Sequence, residues 1–264
     1  MGSKIHFGIT KNLKKKIINS RKIIFFLDYD GTLVPIRRKP QYAIISPKRR
    51  QVLKHLAAQS WAKVYIISGR TLKNVMQLVR VRQLGYAGNH GFELFDKYLQ
   101  LNNKKVKAAK KVIAEIYRRL KADLKYKGMI LENKTYTLSI HYRMIKKRSV
   151  EKFKNDVYNI TANYLNKKNI VITTGKKVIE IRPDIAWNKG SIVRWLVTHI
   201  KGKSKFPIYI GDDTTDEDAF KALKRSGYTA VVSKTKRKSA ARFRLKSTEE
   251  VFVFLKHIVR LKND

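Results

Sequence analysis

No cysteine occurs among the 264 residues, which excludes disulfides, thiolate metal sites and cysteine nucleophiles and is compatible with a cytoplasmic address. Nor is there an apolar run of eighteen residues or more, so no membrane span is expected. The opening stretch MGSKIHFGITKNLKKKIINSRK lacks the apolar centre of a secretory signal. His6 stands where N-myristoylation requires Ser or Thr. Zinc-finger, RNA-recognition and basic-zipper patterns are missing too. Negative charge is scarce, with 19 Asp and Glu against 60 Lys and Arg, a formal net charge of +41. Such an excess leaves open non-specific polyanion binding as a second behaviour and, as an alternative reading of another class, a nucleic-acid- or polyanion-binding protein on this scaffold. The bases run from Lys4 to Lys262 without gathering into one arm, as a solvated lysine-rich surface would also have them.

The few acids are not scattered. Asp212, Asp213, Asp216, Glu217 and Asp218 fall within seven positions, and Asp28 and Asp30 form a second cluster, so two short windows hold seven of the 19. Each window follows a short apolar run. Ile23–Leu27, Val64–Ile67, Tyr86–Ala87, Pro207–Ile210 and Thr229–Val232 read as strands, and helical patterns lie between them at 47–60, 71–79, 188–200, 217–223 and 249–261. Strands alternating with helices predict an α/β fold, a parallel sheet with helices on both faces. The middle differs: a basic helix over 104–125, strands at 129–132 and 136–141, a helix over 150–166, and strands at 170–173 and 178–182. This helix–strand–strand pattern, given twice, predicts an inserted α+β module at 104–182, with 1–103 and 183–264 forming the core.

In parallel sheets ligands sit beyond the carboxyl ends of the strands. Asp28 with Asp30, Ser68-Gly69-Arg70, and Gly211-Asp212-Asp213 each follow a predicted core strand and should converge on one crevice. Two carboxylates about 4 Å apart repel by roughly 4 kcal/mol at an effective dielectric near 20. A third therefore forces proton uptake or recruits a cation. Oxygen ligands without Cys or a His cluster favour Mg²⁺, which commonly binds through a few carboxylates and a substrate phosphate. Ser68 and a nearby lysine would hold the remaining phosphate oxygens.

DYDGT at 28–32, SGR at 68–70, NKG at 188–190 and GDDTTDED at 211–218 resemble the four motifs of the haloacid-dehalogenase-type phosphatases, in order. The resemblance implies a Rossmann-like core and catalysis by Asp28, Asp30, Ser68 and Lys189. Asp28 would attack phosphorus and form an aspartyl phosphate. Asp30 would protonate the leaving oxygen and then activate water, while Ser68 and Lys189 bind the phosphoryl oxygens. The implied metal set is Asp28, Asp30 through its carbonyl, Asp212, Asp213 and Asp216. These roles agree with the chemistry: monoester hydrolysis is very slow uncatalysed, so positioning, charge neutralisation and a covalent two-step route are what a site must supply.

The match extends to the trehalose-6-phosphate phosphatases. DYDGTLVPI, GNHG at 88–91, LENKTYTLSIHYR at 131–143 and GKKVIEIRPDIAWNKG at 175–190 are similar to that family's further signatures, although Thr135 stands where Gly or Arg is more usual. By resemblance the module supplies Glu132, Lys134, His141, Arg143, Lys176, Glu180 and Arg182 to the sugar. The resemblance also implies that Gly31, Thr32, Gly69, Arg70 and His90 would line the substrate from the core. The expected substrate is trehalose 6-phosphate, with sucrose phosphate or a glycosylglycerate phosphate as alternatives on the same scaffold. A monomer is favoured.

Overall fold

In a computed structural model the described residues are 9–37, 39–101, 104–167, 169–175 and 177–264, without the side chains of Lys105 and Val106. Two compact units form, one from the residues up to Gln100 with Trp187–Asp264, the other from Leu101–Ala186. In chain order the first contributes α1 (Lys11–Asn19), β1 (Lys22–Asp28), α2 (Pro47–Ala57), β2 (Ala62–Ile67), α3 (Leu72–Val79), β3 (Gly85–Gly88) and β4 (Glu93–Phe95). The second holds α4 (Lys104–Asp123), β5 (Ile130–Asn133), β6 (Leu138–His141), α5 (Val150–Asn166), β7 (Ile170–Gly175) and β8 (Val178–Pro183). The chain then returns through α6 (Lys189–His199), β9 (Lys205–Gly211), α7 (Glu217–Leu223), β10 (Tyr228–Val232), β11 (Phe243–Leu245) and α8 (Thr248–Asn263).

The first unit is a seven-stranded sheet in the order β11-β10-β9-β1-β2-β3-β4, parallel except for β4, which runs antiparallel to β3. Helices cover both faces, so central strands are buried on both sides and read as continuous apolar runs. Ile23, Ile24, Phe25, Phe26 and Leu27 of β1 are all inaccessible to solvent. Each such side chain contributes roughly 1.5–3 kcal/mol relative to exposure. Ile23, Phe25 and Leu27 join Phe206, Ile208 and Ile210 of β9 in one apolar cluster with α8. From β1 the chain winds one way through β2 and β3, and from β9 the other way through β10 and β11. The junction of β1 and β9 is therefore the switch point where a parallel sheet opens a crevice.

Three elements were not predicted. β4 and β11 have three residues each, too few to show a period. α1 is rich in lysine and carries one fully buried residue, Ile17.

The second unit is an antiparallel sheet, β5-β6-β8-β7. Ile140, Ile179 and Ile181 pack with Ile113, Ile116 and Leu120 of α4 and Phe153 and Val157 of α5. The alternate residues form a polar row across the strands: Glu132 pairs in register with Ser139, Ser139 with Glu180, and Glu180 with Thr173. No helix among the described residues is long and apolar enough to cross a membrane.

Candidate active site

β1 delivers Asp28 at its carboxyl end, and the register sets its neighbours. Asp28 pairs with Ile67 of β2, just before Ser68, and Leu27 pairs with Ile210 of β9, just before Gly211 and Asp212. After Asp28 the chain closes a tight turn in which the Tyr29 carbonyl accepts from the amides of Leu33 and Val34 and Gly31 N–H donates to the Val34 carbonyl. Gly31 has φ +79°, and a Cβ there would fall 2.0 Å from Asp212 Oδ2. Only glycine lets the Asp212 carboxylate come this close to the β1 turn.

Lys189 opens α6, capped by the Asn188 side chain, which accepts from Ser191 N–H at 2.9 Å. A cation in the first turn works against the helix dipole, so carboxylates must compensate. Lys189 Nζ donates to Asp28 Oδ1 and to Asp216 Oδ1, each at 2.7 Å, and all three side chains are buried. Burial alone would lower the Lys189 pKa, but Asp28 and Asp216 outweigh it and hold the ammonium above the usual lysine range.

Asp216 has every lone-pair direction engaged. Oδ1 accepts from Lys189 and from the Tyr209 hydroxyl at 2.6 Å, and Oδ2 accepts from the amides of Asp212 and Asp213 at 3.0 and 2.9 Å. Asp28 is raised well above the carboxylate range, by burial first, with Lys189 opposing and Asp216 and Asp212 adding to the rise. Asp212 is pushed up to about 6 by burial and then by Asp216 and Asp213. Thr32 donates to Asp212 Oδ1 at 3.4 Å.

Among the described residues, one group of three carboxylates is arranged to converge on a cation: Asp28, Asp212 and Asp216, with one oxygen from each within 4.8 Å of the others. One ammonium among three carboxylates leaves a surplus of negative charge, and the raised pKa values of Asp28 and Asp212 come from burial first, with the neighbouring carboxylates adding to it. An oxygen-only set of this kind fits Mg²⁺. With Asp216 saturated by four donors, Asp28 and Asp212 are the side chains left to hold it. Asp213 and Asp30 stand outside this group. Asp213 is exposed and caps the turn after β9, its Oδ1 accepting from Thr214 N–H at 2.7 Å.

The Asp30 carboxylate is gripped by Arg70, whose Nε and Nη2 donate to its two oxygens at 2.6 Å each. Arg70 also donates to Asn74 Oδ1 and the Pro40 carbonyl, both at 3.0 Å, and lies over the Tyr29 ring. Ser68 is buried, and its Oγ accepts from Arg70 N–H at 3.1 Å. His90 has φ 57°, donates its amide to the Ser68 carbonyl at 2.9 Å, and places its ring 2.6 Å from where a Gly69 Cβ would stand. The predicted core residues Asp28, Asp30, Gly31, Thr32, Ser68, Gly69, Arg70, His90, Asp212 and Asp216 thus lie beyond neighbouring strand ends of one sheet, and Lys189 reaches Asp28 and Asp216 from the start of α6.

Within the second unit, Glu132 stands 3.8 Å from Lys134 Nζ and 3.5 Å from His141 Nε2, and Ser139 Oγ donates to Glu180 at 3.5 Å. Arg143 is exposed. The Arg182 Nε is buried with no hydrogen-bond partner among the described residues. Thr135 takes φ 74°, its amide held by Asn133 Oδ1, which explains why glycine would suit the position. Lys176 lies outside the described residues. Sequence reasoning missed Tyr209, Asn74 and the Pro40 carbonyl. For Tyr209 a signal exists: a polar-tipped residue inside the apolar run of β9.

The trehalose-phosphatase family model matches residues 26–249. The chain is 35% identical over 257 residues to probable trehalose-phosphate phosphatase E of Arabidopsis thaliana, covering 92% of this chain and 71% of that one. It is 34% identical over 261 residues to trehalose 6-phosphate phosphatase RA3 of Zea mays, with the same two coverages. The structure is similar to the C-terminal domain of the Candida albicans trehalose-6-phosphate phosphatase, with a TM-score of 0.71 and 25% identity over 94% of this chain and 96% of that one. With the motif order, the sheet topology and the carboxylate–lysine cluster in place, the chain belongs to the trehalose-phosphatase family and is a phosphatase with the haloacid-dehalogenase fold.

Proposed function

We propose that this chain hydrolyses trehalose 6-phosphate to trehalose and phosphate, the last step of trehalose synthesis, with Asp28 as nucleophile. The observation that carries the reading is the Asp28 carboxylate at the end of β1, held at 2.7 Å by the buried Lys189 ammonium and set beside Asp212. An Asp28 oxygen attacks phosphorus, the P–O bond to the sugar breaks, and the Asp30 proton passes to the sugar oxygen. Water then attacks phosphorus of the acyl phosphate, Asp30 takes its proton, and the Asp28 carboxylate is released with phosphate.

Asp30 is paired with Arg70 before substrate arrives, a two-pronged contact that orients its carboxyl group. The incoming phosphate dianion gives Arg70 a second anion to hold. Ser68 and Lys189 bind the phosphoryl oxygens, and Lys189 offsets the charge that grows on them. Mg²⁺, held by Asp28, Asp212 and the Asp30 carbonyl, supplies further charge neutralisation when bound.

Residues 104–182 act as the substrate-selecting module, with Glu132, Lys134, His141, Arg143, Lys176, Glu180 and Arg182 facing the sugar hydroxyls. The polar row containing Glu132 and Glu180 on one sheet face supports that role. Phosphate release from trehalose 6-phosphate, sucrose phosphate, a glycosylglycerate phosphate and glucose 6-phosphate tests the assignment. Trehalose 6-phosphate should give the highest kcat/KM, and an equal or higher value for another substrate overturns it.

A further inference from the structure

We infer that Tyr209 is a positioning residue for phosphoryl transfer: its hydroxyl fixes Asp216, and through Asp216 it fixes the Lys189 ammonium against Asp28. The inference rests on the proposed roles of Asp28 and Lys189. Tyr209 lies on β9 between Ile208 and Ile210 and is wholly buried. Its ring packs edge-on against Phe220, with centroids 5.6 Å apart and planes at 87°. For the strand and for that packing a phenylalanine would serve as well, and it would bury no hydroxyl. The hydroxyl instead donates to Asp216 Oδ1 at 2.6 Å, the oxygen that also accepts from Lys189 at 2.7 Å.

Two donors on one oxygen divide its pull. Lys189 is held at the same distance, 2.7 Å, from Asp216 and from Asp28. With the hydroxyl gone, Lys189 is the remaining donor to Asp216 Oδ1 among the described residues, since the two backbone amides bind Oδ2. The ammonium is then drawn toward Asp216 and away from the oxygens on which charge grows in the transition state. The loss falls on kcat and not on substrate binding, because the affected interaction strengthens only as the phosphoryl group transfers.

The test is Tyr209→Phe, which keeps the ring. Wild type must first release phosphate from trehalose 6-phosphate; if it turns over no phosphate monoester, the proposed function fails, and Tyr209 is not what has been judged. Given that activity, Tyr209→Phe should lower kcat about tenfold with KM within about twofold, the effect of one charge-assisted hydrogen bond. Inhibition by vanadate, which mimics the five-coordinate phosphorus, should weaken by the same factor while inhibition by phosphate stays unchanged. In an Asp216→Asn background the same change should cost less than about twofold, since the path through Asp216 is already broken. Phe220→Leu, which loosens the ring without touching Asp216, should lower Tm and leave kcat intact. The inference is overturned if Tyr209→Phe keeps wild-type kcat and vanadate affinity, if its loss is undiminished in Asp216→Asn, or if Phe220→Leu reproduces it.

Discussion

Asp212→Asn should raise the stability of the metal-free protein, and more so as pH rises. Burial and the neighbouring Asp216 and Asp213 push the Asp212 carboxyl from the ordinary 3.8 to about 6. Between those values the folded protein binds a proton that the unfolded chain has released, so stability falls as pH rises through the window. The full cost at pH 7.5 is about 3 kcal/mol, an upper figure for a group that shares its cluster with Asp28. Asn keeps the side-chain size and removes the charge, so the cost disappears. The assay is thermal unfolding after chelation and dialysis, for both proteins, from pH 4.5 to 7.5. The variant's Tm should exceed wild type's by an amount that grows across this range by on the order of 5 °C. Lys189 is raised and titrates above the window, while Asp96 and Glu249 are lowered in both proteins alike, so these groups cancel in the difference. Millimolar Mg²⁺ should stabilise wild type at pH 7.5 and stabilise the variant far less. A Tm difference that does not change with pH would refute the account of the cluster.

Three further outcomes test other parts of the site. Arg70→Lys replaces a two-pronged grip on Asp30 by a single ammonium and should lower kcat by roughly 10- to 100-fold with little change in Tm, read from steady-state phosphate release and thermal unfolding. Gly31→Ala places a methyl 2.0 Å from Asp212 Oδ2 at φ +79° and should cost roughly 1–3 kcal/mol in urea unfolding, with Mg²⁺ affinity by calorimetry reduced at least about tenfold. Glu180→Gln should raise KM for trehalose 6-phosphate about tenfold while leaving turnover of p-nitrophenyl phosphate unchanged, because only the sugar loses a charged acceptor.

The central strand was legible because it is buried on both faces, so five consecutive apolar residues run straight into Asp28. The acid clusters were legible against a surface that carries few acids. Direction was not. GDDTTDED gives three carboxylates within five positions, and spacing alone does not say that Asp212 approaches Gly31, that Asp213 turns out to cap the next turn, and that Asp216 goes inward to Lys189. These depend on how the chain bends between β9 and α7, where neither the strand nor the helix period applies. The clamp of Arg70 on Asp30 was hidden for another reason. The two residues are 40 positions apart and meet only because β1 and β2 pair in register, a property of the sheet and not of either segment. Tyr209 was masked by the apolar run around it, since hydrophobic pattern reading counts tyrosine as core and does not ask what its hydroxyl touches.

The most direct test of the account is phosphate release from trehalose 6-phosphate by wild type and by Asp28→Asn, each after chelation and again with Mg²⁺ restored. Wild type should release phosphate only with Mg²⁺, and with Mg²⁺ restored Asp28→Asn should fall at least about a thousandfold below wild type, since an amide neither attacks phosphorus nor offers a charged metal ligand. Undiminished turnover by Asp28→Asn, or full wild-type activity in the absence of any divalent cation, would contradict the account.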